Sequence, residues 1–283
     1  MKKHDIGSDT VHDVVRPVDE DARGIIAPAA GLQRFRLDRY PPRPPVARFV
    51  DRYWVPTWDL PPGESYTQRV FAHPVVNVVF EPDVALVHGV TTRVTERRLE
   101  GTGSAFGVMF RPAGFRPFLD GPMSELRDRS VPVAEVFGAA GDELVEAVRN
   151  ETTNESRVAV IDRFLAARAP EARQPSEDMT ALVERVAADP TYARVEKLAR
   201  DVGIGVRQLQ RRFADEVGVS PKAVVRRYRL YEAAERVRDG ADVDWAQVAA
   251  ELGYSDQAHL IRDFAAAIGT TPERYARANR TSR

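Results

Sequence analysis

Leu198-Ala199-Arg200-Asp201-Val202-Gly203, followed by Leu209, Arg211, Phe213, Gly218 and Ser220-Pro221, returns later in the chain as Val248-Ala249-Ala250-Glu251-Leu252-Gly253 with Leu260, Arg262, Phe264, Gly269 and Thr271-Pro272. Self-similarity of this length marks a repeated supersecondary unit, and two copies argue for a pair rather than a solenoid. Each copy reads as a helix, a glycine-containing turn and a second helix. Outward from this pair the chain divides into a helical carboxy-terminal part and a strand-patterned amino-terminal part.

Within the first copy Val206, Leu209 and Phe213 recur at helical spacing and face a small core, which leaves Arg207, Gln210 and Arg211 on the other face. In the second copy Leu260, Phe264 and Ile268 take the inward stripe and Gln257, Ala258, Ile261 and Arg262 point outward. Arginine can bond a guanine edge bidentately and glutamine an adenine edge, while an apolar side chain can meet a thymine methyl, so both faces carry the chemistry of major-groove readout. Asp244 is placed to make a capping box with Gln247, and Ser255 or Asp256 to cap the following helix. Gly205 takes the cap position of the first reading helix, an acceptable residue there. The second copy has one more residue between turn glycine and core leucine, so the two helices need not share one register.

Pro221 to Asp239 joins the units, with Val224, Tyr228, Tyr231 and Ala234 at helical spacing behind a proline start. At about 1.5 Å per residue this helix spans on the order of 27 Å, close to the roughly 34 Å between successive major-groove faces on one side of a duplex. The whole chain has a formal net charge of −1, yet Arg207 to Arg238 holds nine Arg or Lys against four Asp or Glu, a net of +5. Charge distribution rather than its sum sets an electrostatic footprint. Lys222, Arg226, Arg227 and Arg229 are accordingly the phosphate-positioning candidates, against the plainer reading of a solvated helix face.

The paired units, the basic helix between them, the stretch Gly253-Tyr254-Ser255-Asp256-Gln257-Ala258-His259-Leu260-Ile261-Arg262-Asp263-Phe264 and the closing Pro272-Glu273-Arg274-Tyr275 resemble the DNA-binding domain of AraC-family bacterial transcription regulators. The resemblance covers about Ser176 to Arg277. It implies a non-enzymatic regulator of transcription that binds double-stranded DNA, with a cupin-like sensor barrel ahead of the DNA-binding domain, and it brings in RNA polymerase, a small-molecule effector and a second copy of the chain as partners. The chain has no cysteine, which excludes DNA alkyl-transfer repair proteins carrying this type of domain, because their chemistry needs a thiolate acceptor.

Composition agrees with a soluble protein of the reducing cytosol: cysteine is absent, so disulfides and cysteine-ligated zinc are excluded. No apolar run approaches a membrane span, and Met1-Lys2-Lys3-His4-Asp5 leads into no apolar segment of a secretory signal. A cytoplasmic location follows as the expectation.

Between Val46 and about Leu119 short β-branched or aromatic runs, Tyr66 to Val70, Val75 to Phe80, Ala85 to Val90, Val94 to Leu99 and Ala105 to Arg111, read as strands of a small barrel or sandwich. Trp54, Phe71, His73, His88, Phe106 and Met109 are the effector-pocket candidates, against ordinary barrel core. His73 and His88 are separated singles without a His-x-His pair, which favours structural histidines over a metal site; no cofactor is called for, and no nucleophile elbow is present. A metal-binding or enzymatic barrel with a DNA-binding tail, and a purely structural barrel, stay open as alternatives.

The expected fold class is α+β: a flexible arm over residues 1–30, a cupin-like small β-barrel over 31–130, helices over 131–170, and over 171–283 an all-α domain of two helix-turn-helix units joined by a long helix. The helices of 131–170 either pack on the barrel or form an antiparallel dimer contact. Met179, Leu182, Val183 and Val186 open the last domain at spacing i, i+3, i+4, i+7.

Overall fold

The computed structural model describes residues 24–44, 46–238 and 244–280. A single turn, α1 (Pro28–Gly31), precedes nine strands: β1 (Arg36–Tyr40), β2 (Val50–Asp59), β3 (Ser65–Val70), β4 (Asn77–Phe80), β5 (Ala85–His88), β6 (Thr95–Glu100), β7 (Thr102–Ser104), β8 (Phe106–Phe110) and β9 (Ser130–Pro132). The main sheet runs β1-β2-β8-β4-β5-β9 with β7 on the far end of β2, and β3 and β6 form a separate two-stranded ribbon. Every pairing is antiparallel. Helices α2 (Val133–Phe137), α3 (Ala139–Asn150), α4 (Asn154–Ala166) and α5 (Pro175–Ala188) follow.

The α+β class holds, with strands first and helices after. The expected barrel, however, does not close: among the described residues β1 and β9 end the sheet unpaired with one another. The β3–β6 ribbon stays apart from the main sheet. One end, with Tyr66 and Leu99, rests on Phe35, Leu37, Leu60 and Trp58, and the other leads through Phe71 into the carboxy-terminal helices. Five expected strands correspond to β3, β4, β5, β6 and β8, whereas β1, β2, β7 and β9 were not anticipated. The long central β2 hides its alternation because the register shifts between Val50 and Arg52, and because Pro56 reads as a strand breaker. Residues 1–23 of the expected arm lie outside the described residues. From Gly24 onward the chain is docked: Ile25 bridges Val70, and Ile26 N–H donates to the Arg69 carbonyl.

Tyr53, Val108, Val78, Val87 and Val131 form one register row across the sheet, all buried. Side chains directly opposite in antiparallel strands share a face, and this row is the floor of the core. Phe49, Phe110, Phe115 and Phe118 pack edge to face above it. Ile161 and Leu165 of α4 close one side, and Met179, Leu182, Val183 and Val186 of α5 join the same continuous core. Buried Asp162 pins α4 by accepting from Tyr53 Oη (2.6 Å) and Arg43 N–H (3.1 Å). Leu144, Val148 and Val158 show α3 and α4 packed on the strand-rich part, the first of the two roles expected of these helices.

The link at 170–175 is short and fastened, since Arg48 donates to Pro170 O (3.0 Å) and pairs with Glu177 (2.6 Å). Arg111 forks onto Glu184 (2.7 and 2.9 Å), and Thr180 Oγ1 donates to Pro112 O. The Arg48 hydrogen bond holds the Glu177 carboxyl below the usual carboxylate range. A carboxylate depressed on folding contributes stability above its unfolded pKa and loses it as pH falls through the folded value. Glu177→Gln therefore melts below wild type at neutral pH, and the two converge in acid as pH falls through the folded value. Thermal melts at neutral and acid pH check this; a gap that stays constant into acid rules out the ion pair as its cause.

Candidate nucleic-acid interface

The carboxy-terminal helices are α6 (Val195–Asp201), α7 (Val206–Glu216), α8 (Pro221–Arg238), α9 (Trp245–Glu251), α10 (Gln257–Ile268) and α11 (Pro272–Arg280). The sequence repeat is a conformational repeat. Gly203 and Gly253 turn the chain at φ 68° and 70°, and Gly218 and Gly269 end the second helices at φ 92° and 79°. These are left-handed values that glycine adopts without a Cβ penalty. Asp256 caps α10 by accepting from His259 N–H (2.7 Å), and Asp244 caps α9 by accepting from Ala246 and Gln247 N–H. The reciprocal half of the Asp244 box is not formed, because Gln247 Nε2 donates to Glu251 instead (2.8 Å).

Leu209 and Phe213 of α7, and Leu260, Phe264 and Ile268 of α10, are buried, with Val206 half-buried. Arg207, Gln210 and Arg211 stand exposed on α7, as do Gln257, Ala258 and Arg262 on α10; Ile261 is half-buried. Each unit thus presents a donor-rich strip directly behind a closed apolar stripe.

The arginines of α8 depart from expectation. Lys222 is exposed, but Arg226 pairs with Asp263 of α10 (2.6 Å) and Arg229 lies over the Tyr254 ring (5.5 Å). Arg227 is 7% exposed. Its guanidinium donates to Ala72 O (2.5 Å) and Thr91 O (2.8 Å) and stacks on Phe71 (4.0 Å). Burial draws the Arg227 pKa below its ordinary value. The phosphate role expected of Arg227 is corrected by this placement: a side chain enclosed by the strand-rich part has no path to a duplex. Tyr231 adds a hydrogen bond to Phe71 O and a ring contact with His73 (4.8 Å). Helix α8 is consequently buried on several sides, through Val224, Val225, Arg227, Leu230, Tyr231 and Ala233, rather than along the single stripe expected.

Two family models match the chain: a domain of unknown function (DUF6597) over residues 38–132 and a helix-turn-helix domain over 198–278. The second match makes residues 198–278 a helix-turn-helix domain. Among solved structures it is similar to ToxT from Vibrio cholerae, with 10% identity over 87% of this chain and 98% of that one at a TM-score of 0.39. It is also similar to the AraC-like transcriptional activator CuxR, with 14% identity over 73% and 89% at 0.24. A third likeness is to the xylose-binding transcription activator xylR, with 21% identity over 39% and 29% at 0.30.

In this chain the six pocket candidates fall into three places. Arg52, Met109, Asn77, His88 and Ser130 form a register row on the sheet face opposite the core, with Trp54 and Gly107 one row along. Trp54 Nε1 donates to Asn77 Oδ1 (3.1 Å), and a Cβ at Gly107 would overlap the Trp54 indole. Trp54, His88 and Met109 are therefore brought together. Phe106 is not, since it faces the core against Tyr53 (5.8 Å). Phe71 and His73 are not either, because both pack against α8. Glu81 and Arg97, paired at 2.7 Å, tie the ribbon to the main sheet beside His88. Nothing in the sequence singled them out. Among the described residues no group of three or more His, Cys, Asp or Glu could hold a metal ion, and no helix is long and apolar enough to cross a membrane.

His88 Nδ1 lies 2.7 Å from Ser130 Oγ, and burial lowers its pKa. A histidine kept neutral by folding contributes stability that fades as pH drops below its unfolded pKa of about 6.5. His88→Gln consequently shows a shallower loss of melting temperature between about pH 7 and pH 5 than wild type. Parallel melts of the two proteins check this, and identical slopes refute it.

Proposed function

We propose that the two units read adjacent major-groove segments, the first through Arg207, Gln210 and Arg211 and the second through Gln257, Ala258, Ile261 and Arg262. The supporting observation is that every one of these side chains except Ile261 is exposed, while the residues at the intervening core positions are closed off. A selection from a pool of random duplexes at physiological salt tests the reading: the chain enriches a two-part site, and recovery of an unchanged pool rejects it. Lys222 contacts phosphate. Lys222→Ala reduces the slope of log affinity against log salt by about one and weakens all duplexes alike, whereas an unchanged slope removes Lys222 from the backbone contacts.

The amino-terminal domain biases this reading without catalysis of its own. Support comes from its contacts with both units of the reading domain. Phe71, Ile26 and Val94 pack into the apolar cluster of the second unit, and Arg116 pairs with Asp215 of the first (3.4 Å). An effector acts here only through different affinity for the two states of that contact. The face carrying Trp54, His88 and Met109 is the place for a small molecule, and α3 with α4 for a second copy of the chain. A metabolite screen by thermal shift tests the first, because a ligand of the folded state raises its apparent stability. Sedimentation across a concentration series tests the second.

A further inference from the structure

Positions 212 and 263 are equivalent in the two units, each following an exposed arginine, Arg211 or Arg262, and preceding a buried phenylalanine, Phe213 or Phe264. Both reach back to the helix that precedes their unit. Arg212 donates to Pro175 O at the start of α5 (3.4 Å) and to buried Glu216 (2.7 Å). Asp263 accepts from Arg226 of α8 at 2.6 and 2.7 Å and, on its other oxygen, from Tyr254 Oη at the turn (2.9 Å). The equivalent position is tied to the helix that precedes its unit, α5 or α8, by a cationic residue in the first unit and an anionic one in the second.

We propose that Asp263 is the positioning residue of the second reading helix. Apolar contact through Leu260, Phe264 and Ile268 is non-directional and tolerates roll of α10 about its axis. Base-edge hydrogen bonds tolerate little, since they fail when donor and acceptor part by a few tenths of an ångström or bend far from linear. A carboxylate whose two oxygens are held from two elements fixes that roll. Its side chain is 17% exposed, so the pair is partly shielded from solvent. The pairing also cancels a negative charge that would otherwise face phosphate beside Arg262. Burial pushes the Tyr254 hydroxyl pKa up, ahead of the nearby Asp263 charge, so this phenol stays protonated and keeps donating. Arg212 holds the corresponding place in the first unit. The inference rests on the base reading proposed above.

The test uses the full chain and a duplex that wild type has selected from a random pool. Asp263→Asn keeps the shape and one acceptor but loses the charge pair. Base discrimination in the half-site read by α10 falls about tenfold, the worth of one good base contact, while discrimination in the half read by α7 is retained. Tyr254→Phe produces a smaller loss in that same half, and the exchange Arg226→Asp with Asp263→Arg restores part of what Asp263→Asn removes. Both halves intact, both halves falling together, or no rescue by the exchange overturns the proposal; if Asp263→Asn fails to fold, Tyr254→Phe and the exchange decide it by the same criterion. Wild type that enriches no sequence instead sinks the base reading itself, which separates the two failures.

Discussion

Replacing Arg262 with alanine lowers affinity for the preferred duplex by about 1–3 kcal/mol and relaxes base preference at one position. Arg262 is exposed on α10 one residue before Asp263, and Leu260 and Phe264 beside it are fully buried. Truncating it removes donors from the surface without opening a cavity, so the melting temperature stays near wild type. Arg207→Ala behaves the same way in the other half-site. Binding assays against duplexes altered one base pair at a time measure the effect. Uniform weakening across every altered duplex would make Arg262 a phosphate contact, and unaltered preference would remove it from the interface.

Arg227→Ala destabilises the protein by roughly 2–5 kcal/mol, because two charge-assisted hydrogen bonds are lost and two part-buried carbonyls lose their donor. The carbonyls belong to Ala72 and Thr91, and the stacking on Phe71 goes with them. The loss lies at the contact between the two parts of the molecule. Amide exchange therefore accelerates around residues 71–73 and 91–92 and along the facing stretch of α8. Arg227→Lys rescues little, since one ammonium does not reproduce a planar fork that reaches two carbonyls and stacks. The salt dependence of DNA binding keeps its wild-type slope. A slope reduced by about one with an unchanged melt would return Arg227 to the phosphate contacts.

The contrast between these two arginines shows where sequence reading succeeded and where it could not. Helix α10 was legible because its information is local: Asp256 caps it, Leu260, Phe264 and Ile268 recur on one face, and Gly269 ends it. The existence of α8 was legible for the same reason, from Pro221 onward. Its arginines were not. Arg226, Arg227 and Arg229 look alike in a basic run, yet one meets a carboxylate, one a pair of carbonyls and one an aromatic ring. In the strand-rich part the five short runs with β-branched or aromatic residues, set apart by Pro, Gly and Asp, were legible, whereas β2 was obscured by its register shift and Pro56. The pocket candidates were grouped by residue type, and strand register then parted them, placing Phe106 and Met109 on opposite faces of β8.

By itself the sequence determined the doubled helix-turn-helix unit, its glycine turns, its buried stripes and the exposed strip behind each. All of these depend on contacts three or four residues apart or on the φ a glycine permits. Only the tertiary structure decided that the sheet stays open, that the strand-rich domain grips α8, and which basic side chains of α8 stay exposed. The physical reason is the range of the interactions: the Arg227 partner at Ala72 lies 155 residues away along the chain. A charge in a helix carries no local mark of whether water, a phosphate or a distant carbonyl will satisfy it.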